Sequence, residues 1–487
     1  KIQIKLLIRG EFKMKQKISR KASLLEAMIP IICLALFLGI GIFMFESSPH
    51  VPLIGAAAIA GAIGVYRLGF KWSELEVSMF DSIKMAMQAI LIIMIIGILI
   101  GTWVISGVVP SMIYWGLKVI SPNIFLVASV IVCAIVSLAT GSSWSTMGTV
   151  GVALLGIGQS LGIPVGMVAG SIISGAYFGD KLSPLSETTN LAPAMAGTDL
   201  FTHIKYMSYS TVPSLVIVLI IFGIMGTKYS GQELDISQIQ LISNTLESSF
   251  NTLSPFLLIA PVVVIVLVML KVPAIPGLVC GALVGVVIAI FFQGQDMGAI
   301  LEAATNGYVS TTGIESVDML LSKGGLMNMM STVSLTICAL GLGGILEKTG
   351  MLEVIASSIL KAAKGIFGTV FCTMLTCTFT NIIAGEQYLS IVIPGRMYSE
   401  EYKKRGIHPK MLSRALEDSG TLTSPLIPWN TCGAYIAGTL GISAFTYAPY
   451  ALLNLINPIV SLVMIALKFK IARIDDDEKI ELCEKAN

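Results

Sequence analysis

Gly179-Asp180-Lys181-Leu182-Ser183-Pro184-Leu185-Ser186-Glu187-Thr188-Thr189-Asn190 decides the reading of this chain. It lies between two segments apolar enough for a bilayer, yet it places three charges, a proline and several hydroxyl or amide side chains within one membrane-spanning length. Irregular backbone is tolerated at membrane depth only where protein or a watery cavity covers it, and ionisable groups there are costly enough to mark function. Pro184 removes a backbone donor and opposes a continuous helix. The stretch therefore reads as an interrupted transmembrane helix, spanning about 165–196, rather than as a polar loop outside the membrane.

The composition agrees. Of 487 residues, 55% are hydrophobic and only 12% charged, which excludes an ordinary soluble domain and defines a polytopic membrane protein. A net charge of +2 without any basic groove argues against nucleic acid. The eight cysteines are scattered with no CxxC pair, and His50, His203 and His408 stand far apart, so neither a disulfide frame nor a metal cluster is expected. HExxH is missing from the sequence, and the one GxSxG match, Gly158-Gln159-Ser160-Leu161-Gly162, comes with no metal-binding cluster, so an enzyme is not expected. No cofactor is expected. The basic stretch Lys1 to Lys21 has no apolar core, so no cleavable signal peptide is expected.

Outward from the interrupted helix, the chain divides into a basic N-terminal tail (1–26), a first transmembrane repeat (27–226), an external linker (227–254), a second repeat (255–469) and a C-terminal tail (470–487). In the first half, apolar spans begin near Ala27, Val51 and Ala86, with a charged loop from Arg67 to Lys84. A short segment between Pro110 and Pro122 suits the membrane interface, where Tyr114 and Trp115 are favoured. Two short apolar stretches around Thr140-Gly141-Ser142-Ser143-Trp144-Ser145-Thr146 suggest a re-entrant hairpin, and Met207 to Gly226 is a plain span. The second half repeats the order: spans, an acidic loop, a short amphipathic segment (Met351 to Lys364), a hairpin around Thr380-Asn381-Ile382-Ile383-Ala384-Gly385-Glu386-Gln387, an interrupted helix from Met411 to Ile442, and a last span from Tyr447. Both interrupted helices contain Ser-Pro-Leu, at 183–185 and 424–426, with hydroxyl and amide residues six and seven positions after each serine. Five crossings per half invert the second repeat relative to the first, and the positive-inside rule places both termini in the cytoplasm. The expected fold class is thus an all-α membrane protein of two inverted-topology repeats, the architecture of secondary transporters with a site at the midplane.

Sodium prefers oxygen ligands, and a buried carboxylate can exchange it for a proton because both compete for one charge. Candidate ion- or substrate-binding residues are Thr140, Ser142 and Ser143 at one hairpin; Asn381 and Glu386 at the other; Asp180, Ser183, Glu187, Thr188, Thr189 and Asn190 in the first interrupted helix; and Asp418, Ser419, Thr421, Thr423, Ser424, Asn430 and Thr431, with Glu417, in the second. A sodium ion is expected at Asp180, Thr189, Asn190, Asp418, Asn430 and Thr431. Internal ion pairs compete with that reading: Asp180 with Lys181, and Asp418 with Arg414 one helical turn earlier.

Gly101-Thr102-Trp103, Ser106-Gly107-Val108-Val109-Pro110, Tyr114-Trp115-Gly116-Leu117, Thr140 to Thr146, Gly179 to Asn190, Glu417-Asp418-Ser419-Gly420-Thr421 and Ser424-Pro425-Leu426-Ile427-Pro428-Trp429-Asn430-Thr431 resemble the NhaC-type sodium/proton antiporters, a family that includes malate/lactate sodium antiporters. The resemblance covers nearly the whole chain. It implies exchange of cytoplasmic sodium for external protons across the cell membrane, in a group that often works as homodimers. Glu187 stands where the family motif carries aspartate, keeping the charge on a longer arm. The alternatives are coupled exchange of malate and lactate, with Lys181, Arg396 and Arg414 as carboxylate partners, and an uncoupled ion channel.

Overall fold

The computed structural model describes residues 20–45, 47–119, 121–228, 236–270 and 272–474, and it is all-helical apart from one isolated bridge, Ile407 to Arg473. Nearly all of the basic N-terminal stretch, the linker acids Glu233 and Asp235, and Cys483 lie outside the described residues. Among the described residues, eight helices are long and apolar enough to cross a membrane, and a ninth candidate, Ala444–Tyr450 with Leu452–Ala466, is bent by 51°. The chain is a multi-pass membrane protein.

The repeated element order is present. A span (Met87–Ile105; Met330–Lys348) is followed by a short helix (Val108–Val119; Met351–Lys361), a helical hairpin, an interrupted helix and a last long element. The hairpins pair Pro122–Thr140 with 143–160, and Gly365–Ala384 with Gln387–Lys404. Each turns on a glycine in the left-handed region, Gly141 (φ 68) and Gly385 (φ 65), a conformation that residues with a Cβ adopt at a cost. The first arms are 19 and 20 residues, or about 28 Å and 30 Å of helix. Each is by itself long and apolar enough to cross a membrane, in place of the half-length stretch expected of a re-entrant hairpin.

Three segments read as loops are partly helical. Trp72–Met85 lies against the span Met330–Lys348, where the Ser78 hydroxyl donates to the Gly344 carbonyl at 2.8 Å. The linker contains Ile236–Ser249, whose Ile242 and Leu246 are buried four residues apart. Its Glu247 accepts a hydrogen bond from Tyr114, and Trp115 donates to the Leu253 carbonyl at 3.4 Å. Those aromatics are therefore packed under the linker rather than facing lipid. The acidic loop holds Met297–Asn306 and Glu315–Leu321. There Asp318 takes bonds from Thr312, Ser310 and Gly313, which hold its carboxyl below the usual carboxylate range.

Close packing places the first interrupted helix. A Cβ on Gly175 would stand 2.2 Å from the Val130 carbonyl oxygen, and one on Gly179 2.3 Å from that of Ala134. Small residues four apart let two helix backbones meet, and such contacts drive association inside membranes. On another side, Gly170 leaves equally little room at the Tyr450 carbonyl. Gly179→Val is therefore expected to force the helix away from the hairpin, costing about 1–3 kcal/mol and displacing Asp180 next to it. A lower thermal midpoint of the purified protein, with transport reduced, is the outcome to look for.

Candidate functional site

The first interrupted helix runs Val165–Leu182, breaks, and resumes as Glu187–Ala196. The break is possible because its polar side chains take up the freed carbonyls. Thr189 Oγ1 donates to the carbonyls of Lys181 at 3.1 Å and Asp180 at 3.2 Å, while Asn190 Nδ2 reaches those of Ser186 at 2.7 Å and Pro184 at 2.9 Å. Ser186 caps the second segment, accepting from Thr189 N, and Ser183 Oγ donates to Leu138 of the hairpin at 2.8 Å.

The second interrupted helix runs Pro409–Leu416 into a wide turn, Glu417–Thr421, then a tight one, Ser424–Leu426, before resuming as Thr431–Leu440. Asn430 caps the resumed segment through Cys432 N at 3.1 Å. Asn381 of the second hairpin donates to the Gly420 carbonyl at 2.7 Å and to Thr423 Oγ1 at 3.0 Å, and its Oδ1 accepts from Asn430 at 3.1 Å. The resumed segment is also tied to the hairpin tip through Thr431 N and the Gly385 carbonyl, 2.9 Å. Each hairpin tip thus sits on the break that follows it in the chain.

The two breaks cross. Lys181 of the first forms a fully buried ion pair with Asp418 of the second. Asp418 also accepts from Asn457 at 2.8 Å and Ser210 at 3.1 Å, with Arg414 Nε at 3.8 Å. Beside this pair, Ser143 Oγ donates to Asp180 Oδ2 at 2.6 Å, Thr188 Oγ1 donates to Glu417 Oε1 at 3.0 Å, and the Ser186 hydroxyl lies 3.2 Å from Thr188 Oγ1. Glu417 is fully buried and its Oε2 has no partner; the hydroxyl of Thr421, one turn on, is unpartnered too. Nearer the surface, exposed Glu187 accepts from Tyr388 of the second hairpin and is 3.5 Å from Gln88 Nε2.

This geometry sorts the candidates. Asp180, Ser143, Thr188 and Glu417 converge at the crossing. Asp418 does not offer a free carboxylate, because Lys181 and Arg414 neutralise it; the local pair expected between Asp180 and Lys181 is replaced by a pair across the two breaks. Asn190 is exposed and spends its amide on the break, while Ser142, Asn430, Ser419, Ser424 and Thr423 cap or bond backbone. Thr140 donates only weakly to Ser137, at 3.5 Å. Arg396 is exposed and lies near Glu347, away from the crossing. Ser210 and Asn457 sit in segments read as plain spans, and nothing but their polarity within apolar runs could have flagged them.

Comparisons with known proteins identify the family. A family model described as the Na+/H+ antiporter family matches residues 175–469, more than half of the chain. The Na(+)/H(+) antiporter NhaC of Alkalihalophilus pseudofirmus is 40% identical over 86% of this chain and 90% of its own length. The malate-2H(+)/Na(+)-lactate antiporter of Bacillus subtilis is 38% identical over 90% and 93%, and the arginine/ornithine antiporter ArcD of Halobacterium salinarum 35% over 95% and 96%. Among solved structures, Neisseria gonorrhoeae MtrF covers 85% of this chain and 94% of its own at a TM-score of 0.37 and 15% identity. The fold is that of a helical multi-pass membrane protein with two helical hairpins and two interrupted helices. The chain belongs to the Na+/H+ antiporter family.

Proposed function

We propose that the protein exchanges cytoplasmic sodium for external protons across the cell membrane, with Asp180 and Glu417 as the shared acids. The observation that carries this reading is the distribution of charge at the crossing. Asp418 has its cations, whereas among the described residues no lysine or arginine lies within ion-pair distance of Asp180 or Glu417. An unpaired buried carboxylate is costly to keep charged. It must take a proton or a metal ion, and alternation between the two is the chemistry of exchange.

The arrangement also supplies ligands. A sodium ion between the two carboxylates is completed by the Ser143 and Thr188 hydroxyls, all hard oxygen donors. The C-terminal end of Val165–Leu182 adds a negative partial charge beside it. Lys181 and Asp418 hold the two breaks in register, so that Asp180 and Glu417 come from separate halves and respond together when one half moves. Alternating access by two inverted repeats, with both termini cytoplasmic, follows the general scheme for such folds, and the assembly we expect is a homodimer.

A second reading is coupled exchange of small organic acids. It draws on Arg414, which is buried and has no hydrogen-bond partner at Nε or Nη1. The relatives named for malate, lactate, arginine and ornithine make the comparison necessary. Proteoliposomes holding a pH gradient distinguish the two: sodium alone is expected to collapse the gradient, relative to protein-free vesicles. A response that appears only when malate, lactate, arginine or ornithine is added would assign the chain to organic exchange instead.

A further inference from the structure

The tip of the second hairpin carries a carboxylate that the exchange at Asp180 and Glu417 leaves unused. Glu386 follows the left-handed Gly385 and is 3% exposed. Its side chain caps Gln387–Lys404, accepting from Tyr388 N at 3.3 Å through Oε1. Oε2 has no hydrogen-bond partner, and among the described residues no basic side chain lies within ion-pair distance. Thr431, on the resumed segment of the second interrupted helix, meets this tip: its N donates to the Gly385 carbonyl at 2.9 Å, and its hydroxyl makes only a long bond, 3.4 Å, to Asn430 Oδ1.

Two effects act on this group in opposite directions. Burial without a partner disfavours a bare charge. The N-terminus of an 18-residue helix, aimed at the carboxylate through its free amides, favours the charged form over the acid. A bound cation satisfies both, because it compensates the charge without removing it. The hydroxyl of Thr431 and the free Glu386 oxygen are ligands of the type sodium prefers.

The first hairpin has the same construction with the chemistry divided differently. There the residue after the left-handed glycine is Ser142, and the acid stands across from the tip on the interrupted helix, at Asp180. In the second half the acid is on the tip and the hydroxyl is on the interrupted helix. We infer that Glu386 and Thr431 form a second sodium site, separate from the one at Asp180 and Glu417. The inference rests on the sodium-exchange reading above. Tyr388, whose N bonds to Glu386, donates through its hydroxyl to Glu187 and so links this tip to the first interrupted helix.

Binding of radioactive sodium to the purified full-length protein in detergent tests it. The wild-type chain is expected to bind two ions, Glu386→Gln one, Asp180→Asn with Glu417→Gln one, and all three substitutions together none. A wild-type chain that binds one ion, lost in the Asp180 and Glu417 variant and kept in Glu386→Gln, would overturn the second site and leave the exchange reading intact. Absence of any binding would overturn both. Should Glu386→Gln fail to elute as a single species, Thr431→Val decides: one of the two affinities is expected to fall roughly tenfold, and two unchanged affinities would refute the site.

Discussion

Asp180→Asn is expected to reduce sodium-dependent collapse of a pH gradient to the level of protein-free vesicles. Asparagine fills the same volume and can still accept from Ser143, whose hydroxyl lies 2.6 Å from the carboxylate, so the hairpin contact survives. What is lost is the charge for which sodium and proton compete. Losing a charged ligand at about 3 kcal/mol corresponds to about a 100-fold weaker interaction, and loss of the titrating group removes coupling altogether. The variant should remain in the membrane and elute as wild type does. Sodium-driven proton movement near the wild-type rate in Asp180→Asn would remove this acid from the mechanism.

Breaking the buried pair at the crossing should damage the fold itself. Removing one partner of such a pair costs about 3–5 kcal/mol because the other charge is left without compensation. The two single substitutions should differ. In Lys181→Met, Asp418 keeps Arg414, Asn457 and Ser210. In Asp418→Asn, two buried cations, Lys181 and Arg414, lose their common anion. Asp418→Asn is therefore expected to lower the thermal midpoint more than Lys181→Met. The double substitution should recover part of the Asp418→Asn loss, since Lys181 is then no longer a buried cation without an anion, although Arg414 still is. A double variant no more stable than Asp418→Asn would show that the pair does not hold the breaks together.

Much of the architecture could be read from the residues alone. Pro184 and Pro425, set among hydroxyl and amide side chains within apolar runs, identify both breaks. Gly141 and Gly385 mark both hairpin turns. The extent of the hairpin arms was harder to read, since serine and threonine residues such as Ser129, Thr369 and Thr373 lower the apparent hydrophobicity of helices that bury them by bonding to backbone one turn back or by packing. The linker helix Ile236–Ser249 was obscured by the polar residues around its two buried apolar positions.

The candidate acids were visible, but their roles depended on contacts between residues more than 200 positions apart. Local spacing pairs Asp180 with its neighbour Lys181, whereas the fold sends Lys181 to Asp418 and leaves Asp180 to Ser143. The same long-range contact decides that Glu417, rather than the adjacent Asp418, keeps an unpartnered oxygen. Two neighbouring carboxylates on one wide turn are chemically alike in sequence; only their partners distinguish a structural charge from an exchangeable one.

The central claim is that sodium and protons occupy the same acids in turn. It is tested most directly by counting protons released when sodium is added to the purified protein in weakly buffered detergent solution. Sodium is expected to release protons from the wild-type chain, with the release greatly reduced in Asp180→Asn combined with Glu417→Gln. Sodium binding without proton release, or equal release from that double variant, would contradict the account.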